Sequence, residues 1–231
     1  MSDNRTKSAA SELGEATKPP GFEAALSALI ATFAVLVGVS ITDFLDPAKT
    51  HISGDLYWWV FVMMISLLLR FIVGSAIHLK YTYGNTPQCA DEVGPPRSRA
   101  VFLFFKDGAF LVWFGVLGVG MSHSWDAAGF QGSFSEHPFI VHAEWFLAAA
   151  FLWSVADFAS RACYLLCHQT QEWPAKPPWL FWGAIDLSQY VITWFCTTQG
   201  GGQINIVQSL SIIYVIYLFV DFYYTIHALH D

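Results

Sequence analysis

Charge is scarce in this chain. Of 231 residues only 13% are Asp, Glu, Lys or Arg, against about 25% in an ordinary soluble domain. The eleven Lys and Arg residues are dispersed and form no basic run, so a nucleic-acid surface is excluded. Cysteine is also rare: Cys89, Cys163, Cys167 and Cys196. None of them pairs on one side as an extracellular disulfide framework would. Cys163 and Cys167 lie one helical turn apart, but a structural zinc normally takes four ligands, and the run reads as apolar-like packing. There is no H-E-x-x-H or G-x-S-x-G motif and no TVGYG potassium filter. The last hydrophobic stretch has no lysine to carry retinal.

What the chain has in quantity is apolar and aromatic residues, at 55% and 17%. They gather in six stretches, 22–44, 56–79, 101–121, 139–166, 179–196 and 204–229. A membrane-spanning helix takes about 20 residues, so each is long enough or nearly so. Trp58, Trp59, Trp125, Trp173 and Trp179 fall at stretch ends, where amphipathic rings favour the interface. Residues 1–21 are polar and Pro-terminated and read as a disordered tail. No short apolar core with a cleavage site marks them as a signal peptide. Residues 22–231 then form a single unit.

Lysine and arginine alternate between the connecting segments. The tail has Arg5, Lys7 and Lys18, the first connection only Lys49, and the second Lys80, Arg97 and Arg99. The third has none, the fourth has Lys176, and the fifth and the C-terminus have none. By the positive-inside rule both termini are cytoplasmic. The expectation is an all-α polytopic membrane protein with six transmembrane helices, sited in the bacterial inner membrane.

Five charges fall inside these stretches: Arg70, Asp107, Asp157, Asp186 and Asp221. At 1.5 Å per residue, Arg70 lies about 21 Å from the outer surface, and Asp157 and Asp221 about 25–27 Å. Asp107 and Asp186 start from the inner side and lie about 10 Å above it. In a hydrocarbon core of about 30 Å all five occupy one inner-half layer. Each also belongs to a polar stripe at 100° per residue. Arg70, Gly74 and His78 are almost in line. Trp182, Asp186, Gln189, Tyr190, Thr193 and Thr197 share a face, as do Tyr214, Tyr217, Asp221 and Tyr224. Lipid satisfies no such stripe, so the stripes face one another or water.

The expected pairing sets Arg70 against Asp107 or Asp157, with Arg161 one turn from Asp157 and Lys106 reaching for the cytoplasm. Asp186 and Asp221 are then left without a cation. On the outer side His123, His137 and His142, with Asp126, Glu136 and Glu144 nearby, are the candidates for a transition metal, although their spacing is not diagnostic. His78, His168 and His227 lie near the inner edge, too shallow for a bundle haem. No cofactor is specified by any motif.

In size and six-helix topology the chain resembles prokaryotic relatives of the lysosomal potassium channel. Its first helix opens Phe22-Glu23-Ala24-Ala25-Leu26-Ser27-Ala28, without the R-x-x-x-F-S-D signature of that family. No residue role is carried over.

The functional expectation is a channel or transporter for a proton or small cation. Asp107, Asp157, Asp186 and Asp221 would be its sites, Arg70 the counter-charge, and Tyr217 and Tyr224 hydroxyl relays. The bilayer is its surroundings, and a homo-oligomer closes the pathway. The alternatives are a membrane metal or redox enzyme using the same cluster, and a non-catalytic sensor or interaction subunit.

Overall fold

A computed structural model describes residues 22–46, 55–83, 97–124, 134–168, 178–199 and 203–228. They form six long helices: α1 (Phe22–Phe44), α2 (Asp55–Tyr83), α3 (Arg97–His123), α4 (Pro138–His168), α5 (Pro178–Thr198) and α6 (Gln203–Ala228), with a short 3-10 turn at Phe134–Glu136. Each covers one hydrophobic stretch, most with added residues at one or both ends. Two begin on proline, Pro138 and Pro178, whose fixed φ suits a first turn and whose missing N–H would have found no partner there. His137 caps α4: the Phe139 N–H donates to its Nδ1 at 3.2 Å, which satisfies one of the terminal donors. The tail 1–21 lies outside the described residues.

Five of the helices are long and apolar enough to cross a membrane, through Ser27–Phe44, Leu56–Leu79, Phe102–His123, Pro138–Ser160 and Ile204–Tyr224. The chain is a membrane protein by this pattern. The exception is α5, the shortest of the six at 21 residues. Asp186, Ser188, Gln189, Thr193, Thr197 and Thr198 dilute its apolarity.

Side-chain contacts show that consecutive helices alternate in direction. At one end the Tyr57 hydroxyl of α2 donates to the Phe44 carbonyl of α1 at 3.1 Å. There too the Ser211 hydroxyl of α6 donates to the Trp59 carbonyl at 2.5 Å, and Thr197 of α5 donates to Glu144 of α4 at 3.1 Å. At the other end Phe181 of α5 stacks on Tyr224 of α6. The closest helix pairs are α2 with α6, α4 with α5, and α1 with α3.

α2 is the hub. Phe71 meets Phe114 of α3 at 5.1 Å and Phe146 of α4 at 4.8 Å between ring centroids. Phe114 and Phe146 close the triangle at 4.9 Å, within the range where aromatic pairs add to simple burial. On α3, a Cβ at Gly115 would collide with the Leu36 side chain of α1. Only glycine permits that crossing, the usual device where helices approach closely in membranes.

Burial runs opposite to that of a soluble protein. Phe105, Phe219 and Phe102 are 63–70% exposed, whereas Arg70, Asp107, Asp186 and Asp221 are at most 4% exposed. These rings face outward and these charges face inward, as a bilayer solvent requires.

Candidate functional site

The α2 line of Arg70, Gly74 and His78 points into the bundle, and the layer assembles around it. The Arg70 guanidinium uses three nitrogens on three acceptors. Its Nη2 donates to Asp186 Oδ1 at 2.6 Å, its Nε to Asp221 Oδ2 at 3.0 Å, and its Nη1 to Gln189 Oε1. The guanidinium carbon also lies 5.1 Å from the Phe71 ring centroid. A planar five-donor fork suits such a three-way clamp, and lysine could not replace it.

This pairing corrects the sequence expectation. Arg70 holds Asp186 and Asp221, the two acids expected to lack a cation, and not Asp107 or Asp157. The reason is the helix order: α2 packs against α6, which brings Asp221 to Arg70, while α5 lies beside α6.

Asp107 and Asp157 belong to a second cluster, built on Lys106. Its ammonium lies 2.9 Å from Asp107 Oδ1 and also bonds Asp157 Oδ1. Lys106 was expected to reach for the cytoplasm; its side chain is only 10% exposed and turned inward. Asp107 Oδ1 also accepts from the Trp153 indole at 2.7 Å. His78 completes the cluster, with Nε2 3.3 Å from Asp157 Oδ2, although the alignment is too poor for a hydrogen bond. Its ring lies edge-on between Trp153 and Trp182, at 5.0 and 5.8 Å. The expected Arg161 partner of Asp157 has a side chain outside the described residues.

One cavity touches both clusters. Arg70, Asp186 and Asp221 border it on one side, His78 and Asp157 on the other, and Phe71, Trp153 and Trp182 add apolar walls. Its volume, counted over water-centre positions, is about 50 Å³. A single water needs about 10–15 Å³ on this measure, so the cavity has room for water.

The expected tyrosine relays stand apart from the cavity. Tyr217 shares a hydrogen bond with Ser188 at 2.8 Å, and Tyr224 stacks on Phe181. Tyr214, fully buried, shares one with Thr193 at 2.9 Å.

The outer histidines do not converge. His123 is 82% exposed and 4.0 Å from Asp43, His137 caps α4, and His142 Nδ1 lies 2.6 Å from the Pro138 carbonyl. Among the described residues, ligand atoms close enough for a metal occur instead at His78, Asp107 and Asp157, within 4.8 Å of one another. The Lys106 ammonium already lies against both carboxylates there, so the set reads as an ion-pair cluster. Cys89 and Asp126, and the side chains of Cys167, His168 and His227, lie outside the described residues.

Among the described residues Arg70 and Lys106 thus face four carboxylates. Sequence reasoning placed the carboxylates and set His78 on the Arg70 stripe, but turned Lys106 toward the cytoplasm. The signal was available in Phe105-Lys106-Asp107, because a lysine adjacent to a buried aspartate starts at the same depth. Comparison of the chain with protein-family models, with curated proteins and with solved structures found no match.

Proposed function

We propose that the protein passes protons, or a small cation, across a membrane through this layer. The observation that carries the reading is a carboxylate-rich layer beside a cavity: among the described residues Asp107, Asp157, Asp186 and Asp221 gather around Arg70 and Lys106, and Asp157, Asp186 and Asp221 border the cavity. Ionised carboxylates are costly at membrane depth, and taking up a proton or a cation lowers that cost. The cavity bordering both clusters gives the exchanged species a place next to the acids.

In this reading all six helices span the bilayer of the bacterial inner membrane, and both termini are cytoplasmic. α5 crosses with its polar stripe turned into the bundle, where Asp186, Gln189, Thr193 and Thr197 are all buried. The layer then lies in the cytoplasmic half. A chain this small works as a homo-oligomer, the common route by which short helical units enclose a path.

The second reading, a membrane metal enzyme, draws on the proximity of His78, Asp107 and Asp157. Lys106 weighs against it, because an ammonium already neutralises the carboxylates a metal would need.

Reconstitution into liposomes with an entrapped pH dye tests the proposal. The expected result is proton or cation flux in the unmodified protein, lost or reshaped in Asp221→Asn. Stoichiometric metal without flux favours the enzyme, and neither metal nor flux at any pH leaves an interaction subunit.

A further inference from the structure

Four buried polar atoms near the layer have no hydrogen-bond partner among the described residues: Ser75 Oγ, His78 Nε2, Trp182 Nε1 and Gln189 Nε2. Three of these residues, Ser75, His78 and Trp182, line the cavity between the two ion-pair clusters. Ser75 is 3% exposed. Other helix serines bond the carbonyl of the preceding turn, as Ser40 and Ser160 do at 2.9 and 2.7 Å. Ser75 does not, so its hydroxyl remains available to an occupant of the cavity.

The chemistry of the lining selects the occupant. The Trp182 indole N–H is a donor only and offers a bare cation no ligand. Asp157, Asp186 and Asp221 are acceptors in their ionised forms. A molecule that meets both must accept and donate at once. A cavity of about 50 Å³ is large enough for water. Buried waters typically make about three hydrogen bonds to otherwise unsatisfied groups, and this lining supplies them.

We propose that the cavity holds an ordered water cluster and that this cluster is the proton link between the Arg70 and Lys106 clusters. This rests on the transport reading and narrows its substrate to the proton. The titratable groups that line the cavity are Arg70 and His78 on α2, Asp157 on α4, Asp186 on α5 and Asp221 on α6, with Lys106 and Asp107 of α3 in the cluster that holds Asp157. In each transfer an O–H bond of a protonated Asp221 or Asp186 breaks as one forms to the nearest water. The water at the far end gives up a proton to Asp157, and the cluster is unchanged in composition.

Gly74 gives the test a clean variant. It lines the cavity, and a Cβ there would lie 3.7 Å from Asp221 Oδ2, an ordinary contact. Gly74→Ala therefore puts a methyl group into the water space without a clash or a change of charge, and alanine favours the helix. The full chain in liposomes is measured by water-edited solid-state NMR, with the Trp182 indole assigned through Trp182→Phe, and by dye-reported flux. The expected result is magnetisation transfer from water to the Trp182 N–H, weakened in Gly74→Ala, together with a several-fold loss of proton flux at unchanged thermal stability. No transfer to Trp182 in the unmodified protein, while loop amides of the same sample show it, overturns the water site. Native proton flux in Gly74→Ala overturns the link, and flux of sodium or potassium in place of protons overturns the narrowing. Water transfer at Trp182 with no flux of any kind refutes the transport reading, and with it the link, but leaves the water site standing.

Discussion

Replacing Arg70 by leucine keeps an apolar side chain against Phe71 but strips Asp186 and Asp221 of their shared cation. The two ion pairs broken by this change span 2.6 and 3.0 Å. With an effective dielectric of about 20, each is worth about 5–6 kcal/mol before desolvation is subtracted. The net loss on removing one partner of a buried pair is about 3–5 kcal/mol. At about 2–4 °C per kcal/mol for a chain of this size, Tm falls by about 6–20 °C. The opposite change behaves differently. Asp221→Asn leaves Arg70 on Asp186 and Gln189 and keeps an amide oxygen that can accept from Nε, so it costs about 1–2 kcal/mol, the scale of one hydrogen bond. Adding Asp186→Asn and Asp221→Asn to Arg70→Leu should recover at least half of the lost stability. Intrinsic tryptophan fluorescence during heating in detergent measures all of these. An Arg70→Leu protein as stable as the unmodified one, or an Asp221→Asn protein as damaged as Arg70→Leu, would refute the clamp.

Lys106→Met should be destabilising by a similar mechanism, because it strands Asp107 and Asp157, and Asp157→Asn in the same chain should relieve part of that loss in the same melting assay. Gly115→Ala forces a methyl group into the Leu36 side chain and should cost about 1–3 kcal/mol, read as a lowered Tm. Asp186→Asn and Asp221→Asn proteins should fold and yet lose or reshape pH-dependent flux in liposomes; native flux in both would remove the carboxylates from the path. Reporter fusions after Asp231 and within residues 122–138 should report opposite sides of the membrane, and a C-terminal fusion active only outside the cell would invert the layer's placement.

The common level of the charges was legible because a helix converts sequence offset into distance at a constant rate. Residues at known offsets from hydrophobic boundaries meet at one level whatever the bundle looks like. The faces were legible too: Asp186, Gln189, Thr193 and Thr197 follow helical spacing and are all buried. Partner choice was not. Periodicity gives an angle about a helix's own axis and says nothing about which neighbour occupies it. α2 lies against α6, a decision of packing among large apolar surfaces, and that moved Arg70 from Asp107 and Asp157 to Asp186 and Asp221. Lys106 was misread for a related reason. A long stem near a helix end can reach either water or a carboxylate, and only the position of Asp157 on the neighbouring helix settles the matter. The shortfall of α5 in apolarity follows from the same stripe that made its inward face recognisable.

The hub position of α2 has a consequence in time. Arg70 is synthesised 116 residues before Asp186 and 151 before Asp221. At about 5–20 residues per second, Asp221 emerges about 8–30 s after Arg70. Lys106 precedes Asp157 by only 51 residues, a delay of about 3–10 s. In a chain that enters the membrane helix by helix, the Lys106 cluster closes first, while the arginine at the centre waits without its carboxylates. Nascent chains arrested before α5 would carry that arginine uncompensated, and membrane quality control could recognise them by it.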